Sequence, residues 1–238
     1  MCGIAGFIDF KNHSSRTIIE KMTASMHHRG PDGFSSEFFE ASGSQIAFGH
    51  KRLSIIDLAD TGKQPMQLDD LWVTFNGEIY NFKEIKVELE KLGHSFVGES
   101  DTEMILHAYQ QWGEHCVKRF VGMFVIAIYD AKNNSIFISR DRAGVKPLFY
   151  YWNKELFLFS SELKALHEHP NFEKKIDTNA VAAYIQYGSV PTPHCIFQHT
   201  HKLKPGHNLF LNLESKKIET RQYWNVYDFY NKPKLSID

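Results

Sequence analysis

Residues 123–129 are apolar on both faces of an extended chain: Phe124, Ile126 and Ile128 point one way, Met123, Val125 and Ala127 the other. A strand of this kind has to be covered on both sides. Several amphipathic segments can provide the cover. Residues 15–26 align Ile18, Ile19, Met22 and Met26. Residues 82–92 align Phe82, Ile85, Leu89 and Leu92 and stop at Gly93, and residues 101–112 align Ile105, Ala108, Tyr109 and Trp112. Further strands are predicted over 2–10, 46–48, 53–56, 71–75, 136–139, 148–152 and 156–159, and a hairpin over 206–213 and 217–223. Helices are predicted over 162–167 and 179–187, and 190–193 reads as a linker. The simplest packing that satisfies these faces is two sheets face to face with helices outside, an α+β four-layer αββα sandwich. The 19 Phe residues in 238 suit a bulky core between such layers.

Composition narrows the function. A net charge of −1 provides no basic field for nucleic acid or an anionic membrane. No apolar run approaches the roughly 20 residues of a membrane span, and the N-terminus lacks the basic-then-apolar pattern of a signal peptide. Three cysteines, Cys2, Cys116 and Cys195, form no disulfide framework, which fits a reducing, cytoplasmic compartment. The histidines match no zinc template, so no metal site is expected, and no Gly-rich phosphate loop occurs.

Cys2 is either a small residue starting a strand or a nucleophile. Removal of Met1 would leave thiol and free α-amine on one residue, placing nucleophile and base together. An amine near ~7.7–8.0 and a thiol near ~8.5 both lie close to useful protonation states. Five later segments carry similar alternatives. Arg29, Gly30, Pro31 and Asp32, followed by Gly33, form a helix stop and turn, or a loop beside the nucleophile ordered by Arg29. Arg52, with Leu53, Ser54, Ile55, Ile56 and Asp57, is an edge strand with a solvated cation. Alternatively, its guanidinium fork takes a ligand carboxylate while the backbone of residues 53–56 lines a pocket. Asn76-Gly77 before Glu78 reads as a hairpin turn or as an oxyanion hole, in which one donor is worth ~3–4 kcal/mol. Ser100 and Glu103 fit a capping box, leaving Asp101 for structure or for a ligand ammonium. Residues 140–148 form a charged loop between apolar strands, with no spacing diagnostic of catalysis.

Taken in order, Met1-Cys2-Gly3-Ile4-Ala5-Gly6, His28-Arg29-Gly30-Pro31-Asp32, Arg52 to Asp57, Asn76-Gly77-Glu78-Ile79-Tyr80-Asn81, Ser100-Asp101-Thr102-Glu103, Arg140-Asp141 and Gly144-Val145-Lys146-Pro147-Leu148 form a recognisable set. With Ser161-Glu162-Leu163-Lys164 and Lys204-Pro205-Gly206-His207 it spans roughly residues 1–210. The set resembles the glutaminase domain of class II, N-terminal-nucleophile glutamine amidotransferases, of the glutamine-hydrolysing asparagine synthetase type. The resemblance implies the αββα fold of N-terminal-nucleophile hydrolases. It implies Cys2 as nucleophile, Asn76 and Gly77 as oxyanion hole, and Arg52 with residues 53–56 holding the substrate α-carboxylate. Glu78 and Asp101 would receive its ammonium. Residues 1–213 would form the amidotransferase domain. Residues 214–238 would be a terminal strand and linker toward an absent ATP-pyrophosphatase domain, whose Ser-Gly-Gly-x-Asp-Ser loop does not occur here. L-glutamine and that domain are the expected partners, with a homodimer as an option. No cofactor is expected here; ATP and Mg belong to the absent domain. A chain retaining Met1 is expected to fold but to hydrolyse glutamine poorly.

Overall fold

The computed structural model describes residues 2–41, 43–53 and 62–230, apart from the side chain of Phe229. Its strands build two six-stranded sheets in which the recorded pairings are antiparallel. The first contains β1 (Gly3–Asp9), β2 (Gly33–Ala41), β3 (Ser44–Arg52), β8 (Phe149–Trp152), β9 (Leu156–Ser160) and β10 (Thr200–Lys202), in the order β10-β8-β9-β1-β3-β2. The second contains β4 (Met66–Leu68), β5 (Leu71–Ile79), β6 (Gly122–Asp130), β7 (Ser135–Arg140), β11 (His207–Asn212) and β12 (Lys217–Gln222), in the order β12-β11-β7-β6-β5-β4.

Strand alternation sorts the apolar side chains into three buried clusters. Ile4, Ile8, Ile46, Phe48 and Phe159 meet Val125, Ala127, Ile138 and Leu209 between the sheets. On the outer face of the first sheet, Ala5, Phe7 and Ala47 pack on Ile19 and Met22 of α1 (Arg16–Ala24) and on Ala165 and Leu166 of α4 (Leu163–His167). On the outer face of the second, Phe75, Phe124, Ile126 and Ile128 pack on Ile85 and Leu89 of α2 (Phe82–Lys91) and on Met104, Ile105 and Ala108 of α3 (Asp101–Trp112). The doubly apolar β6 therefore faces the other sheet with one side and helices with the other, in the αββα order its pattern predicts.

Differences from the sequence expectations have local causes. The Ser-Ser-Glu-Phe-Phe run of β2 has no alternation to mark it as a strand; it is a half-buried edge strand. The hairpin reading of Asn76-Gly77 is overturned. Both lie inside β5, paired with Val125 and Phe124 of β6. Residues 190–193 are not a linker between units: Lys202 of β10 donates its N–H to Pro193 and its Nζ to Val190, tying the segment to the first sheet. Leu53 lies just beyond β3, and the rest of the strand expected over 53–56 lies outside the described residues. Half of the capping box forms. Ser100 Oγ accepts from Glu103 N at 3.3 Å, but the Glu103 carboxylate turns to the N–H groups of Val97 and Gly98, both at 2.7 Å. β12 lies beyond residue 213 and pairs along β11 as an edge of the second sheet. The segment α5 (Thr178–Tyr187), capped by Asp177 Oδ1 and ended by Gly188 at φ +71°, lies outside the four layers and exposes Tyr184 and Ile185.

Candidate active site

Cys2 immediately precedes β1, a central strand, and its thiol meets the residue that follows β3. Leu53 N–H reaches Cys2 Sγ at 3.4 Å and the thiol is 3.7 Å from Leu53 O. The Cys2 carbonyl is gripped by Arg29 Nε at 2.9 Å, and Arg29 Nη1 is anchored on Glu162 at 2.9 Å. Glu162 is also bound by His28; burial pushes its carboxyl up, but the hydrogen bonds from Arg29 and His28 outweigh it and hold the group below the usual range. Gly30 lies flat on β3: a Cβ there would sit 2.6 Å from the Lys51 carbonyl carbon and 2.7 Å from Arg52 backbone atoms. Asp32 N–H donates to Arg52 O at 3.1 Å. The segment expected beside the nucleophile is thus fixed both to it and to the strand end that carries Arg52. Arg29 and Gly30 support the site from behind rather than lining it. Pro31 is exposed and Asp32 leads away into β2.

Cys2, Arg52, Leu53, Asn76, Gly77, Glu78 and Asp101 line one cavity of about 170 Å³, room for several waters or a small polar molecule. Asn76 is 1% exposed, and its Nδ2 has no hydrogen-bond partner among the described residues. An orphaned buried amide donor is costly unless a ligand satisfies it. At Gly77 any side chain is excluded, since a Cβ would come within 2.2 Å of Met123 O and 2.6 Å of Phe124 Cα. The close β5–β6 approach that fixes Asn76 therefore requires glycine next to it.

Acidic groups line the same cavity. Asp101, the first residue of α3, accepts Ile79 N–H at 3.2 Å. Burial pushes its carboxyl up to about 6, and the neighbouring Glu78 pushes the same way. Two neighbouring carboxylates describe a place whose ionised form is relieved by a cation. With Arg52 in the same cavity, the site pairs a guanidinium with an acidic pair, complementary to a zwitterion. Ser54, Ile55 and Ile56 lie outside the described residues.

Among the cavity residues that the sequence does not point to are His50, Gln64 and Lys146. His50, on the inter-sheet face of β3, is 2% exposed with Nε2 unpartnered among the described residues. Burial, and then Arg52, push its pKa down to about 3, so it stands neutral. Gln64 is buried and braces the wall, taking Phe75 N–H at 2.6 Å and donating to Thr102 Oγ1 at 3.0 Å. Lys146 comes from the charged loop after β7. A buried Asp9–Ser14–His169 cluster outside the cavity resembles a hydrolytic triad only by composition. Its serine sits between the other two, donating to Asp9 at 2.7 Å with His169 Nε2 at 3.0 Å. Asn171 N–H occupies His169 Nδ1, which leaves the proton on Nε2 and no free basic nitrogen for the serine.

Stacked antiparallel sheets between helical layers, with a cysteine heading a central strand, are the fold of N-terminal-nucleophile hydrolases. Solved structures with this fold bear the likeness out. The B. subtilis glutamine phosphoribosylpyrophosphate amidotransferase complexed with ADP and GMP matches over 94% of this chain and 49% of its own, with TM-score 0.66 and 17% identity. A structure described as the allosteric regulatory enzyme of purine biosynthesis matches with TM-score 0.68 and 16% identity, over the same shares. The family described as "Glutamine amidotransferase domain" matches residues 1–224, and the chain belongs to that family. Among curated relatives, asparagine synthetase [glutamine-hydrolyzing] 3 of Bacillus subtilis is 38% identical over 95% of this chain and 37% of its own length. A Methanocaldococcus jannaschii protein provisionally named asparagine synthetase [glutamine-hydrolyzing] 2 is 39% identical over 99% of this chain and 49% of its own. The chain thus spans about half or less of the length of these relatives.

Proposed function

We propose that this chain hydrolyses L-glutamine and supplies the ammonia to an ATP-dependent, asparagine synthetase-like domain. The carrying observation is the joint placement of the Cys2 thiol and the unpartnered Asn76 amide in one cavity with Arg52, Glu78 and Asp101. In this reading Arg52 binds the substrate α-carboxylate, and Glu78 and Asp101 bind the α-ammonium. The side-chain amide is thereby presented to the thiol, and positioning of this kind removes much of the entropic barrier. The thiol gives its proton to the free α-amine of Cys2, and Sγ attacks the amide carbon. Asn76 Nδ2 and Gly77 N–H receive the developing oxyanion. Collapse expels ammonia and leaves a γ-glutamyl thioester, which water opens to glutamate. Nothing in this sequence of steps calls for a metal or cofactor in this domain. ATP and Mg would act in a synthetase domain beyond the residues described, with residues 214–238 leading toward it. Three unpaired cysteines suit a cytoplasmic setting. The test is glutamate release from glutamine by the purified chain, with the state of residue 1 read by intact mass. Cys2→Ala should abolish release while the folded circular dichroism spectrum persists; turnover by that variant would sink the mechanism.

A further inference from the structure

The loop joining β7 to β8 is built more heavily than a surface connection requires. Asp141 is 1% exposed, and its carboxylate accepts four backbone N–H groups: Ala143 at 3.1 Å, Val145 at 2.9 Å, Lys146 at 3.0 Å and Phe124 at 3.3 Å. Arg140 works from the other side, donating to the carbonyls of Lys146 at 2.7 Å, Gly144 at 2.8 Å and Leu203. The Tyr223 hydroxyl holds the Arg140 carbonyl at 2.9 Å. Gly144 takes φ +67° where a Cβ would strike Pro205 at 2.7 Å, so the turn is tight as well as braced. This scaffold fixes which way two neighbours face. Val145 is 57% exposed, whereas Lys146 is 4% exposed and lines the cavity that holds Cys2, Asn76 and Gly77.

A buried ammonium is expensive unless negative charge faces it. Burial and Arg29 hold Lys146 below the ordinary lysine range, while Cys2, Asp141 and Glu78 favour its charged form. Asp141 is already committed to four N–H groups. Glu78 and Cys2 line the same cavity as Lys146, so charge that appears on Cys2 during reaction falls within reach of its field.

We propose that Lys146 is an electrostatic positioning residue of the Cys2 pocket, held there by the Arg140–Asp141 scaffold to stabilise negative charge on the nucleophile. The inference deepens the glutaminase reading and rests on it. As the Sγ–carbon bond forms, the carbonyl π pair moves to oxygen. Its return expels ammonia, which leaves with the proton the α-amine took from the thiol. From thiolate to oxyanion a negative charge absent from the resting thiol sits on Sγ and then on the carbonyl oxygen, balanced by the proton held on the α-amine. A fixed cation in a buried pocket offsets that charge throughout, in addition to the Asn76 and Gly77 donors.

The test measures Cys2 alkylation by iodoacetate and by iodoacetamide at one pH on the full chain. Peptide mapping separates Cys2 from the buried Cys116 and Cys195. A cation beside the thiolate accelerates the anionic reagent over the neutral one. Lys146→Met should lower the iodoacetate-to-iodoacetamide rate ratio about tenfold, equivalent to about 1.4 kcal/mol of lost attraction, and Lys146→Arg should restore most of it. If methionine does not fold at this position, Lys146→Gln provides the same comparison. The glutaminase arm should show kcat falling at least tenfold with KM for glutamine within about twofold. An unchanged alkylation ratio in folded Lys146→Met or Lys146→Gln overturns the proposal and leaves the lysine as a partner of Glu78 and Asp141. Absence of glutamine turnover in chain whose intact mass shows Met1 removed, with a Lys146-dependent ratio, overturns the glutaminase reading instead.

Discussion

Asp101 gives the affinity for an α-ammonium ligand a pH dependence that can be calculated before it is measured. Its carboxyl is held up at about 6, by burial first and by Glu78 after the partly compensating N–H of Ile79. For a simple titration about 97% of it is ionised at pH 7.5 and about 9% at pH 5, a roughly elevenfold loss of the binding-competent form. Neutral Asp101 accepts an ammonium proton poorly, so the dissociation constant for glutamine should rise about tenfold across this interval. His50 does not titrate in this window, since it is pushed down to about 3. The assay is isothermal calorimetry with Cys2→Ala protein, which binds without turnover and removes the thiol from the titration. Asp101→Asn should flatten the profile and weaken binding at pH 7.5 by about 1.5–3 kcal/mol, the range for a charge-assisted hydrogen bond. Bound ammonium favours the ionised carboxylate, so proton release on binding should peak near pH 6 and vanish in Asp101→Asn. A tenfold pH dependence surviving in Asp101→Asn would refute the assignment, as would a flat profile in the Asp101 protein.

Other expectations follow from individual contacts. Asn76→Ala should lower kcat by about 10²–10³ with a smaller change in KM, because its donor acts on charge that develops during reaction; steady-state glutaminase kinetics check this. Arg52→Ala should chiefly raise KM by removing ground-state binding of the carboxylate, and an unchanged KM would remove Arg52 from the site. Gly77→Ala should unfold at lower denaturant concentration or lose activity outright, since its Cβ would overlap Met123 O at 2.2 Å. Acid should destabilise the fold below about 6.5. His50 and His169 are pushed down from 6.5 to about 3 and about 4, so the unfolded chain takes up their protons first. Asp101 opposes this, because its raised carboxyl makes the folded state bind a proton between 3.8 and about 6. Urea midpoints should therefore fall from pH 7 to pH 5, and fall more steeply in Asp101→Asn, which lacks the opposing contribution; a shallower fall in that variant would refute the assignment.

The layer order was legible because β6 carries its two faces in its own sequence. Phe124, Ile126 and Ile128 went to α2 and α3, and Val125 and Ala127 to the other sheet. The edge strand β2 was not legible, since a half-buried strand places little demand on alternation. For the site, residue type at a motif position was informative where a side chain has few other uses, as with Cys2 and Asn76. Gln64, His50 and Lys146 were illegible for a common reason. Each reaches the cavity because of a tertiary constraint written elsewhere: the Phe75 N–H for Gln64, the end of β3 for His50, and the Arg140–Asp141 pair for Lys146.

That dependence bears on how the pocket is assembled. Arg29 joins Cys2 to Glu162 after β9, Gln64 joins β5 to α3, and Asp141 joins the loop after β7 to Phe124 on β6. Each tie fastens one wall of the cavity to a separate part of the fold, and the tying side chains of Arg29, Gln64 and Asp141 are not ones assigned to contact substrate. The reacting groups are thus held by buried polar links, which demand defined geometry in a way that apolar packing does not. Loss of a link such as Arg29–Glu162 should cost catalytic geometry before it costs the fold, because the three apolar clusters that carry stability lie elsewhere.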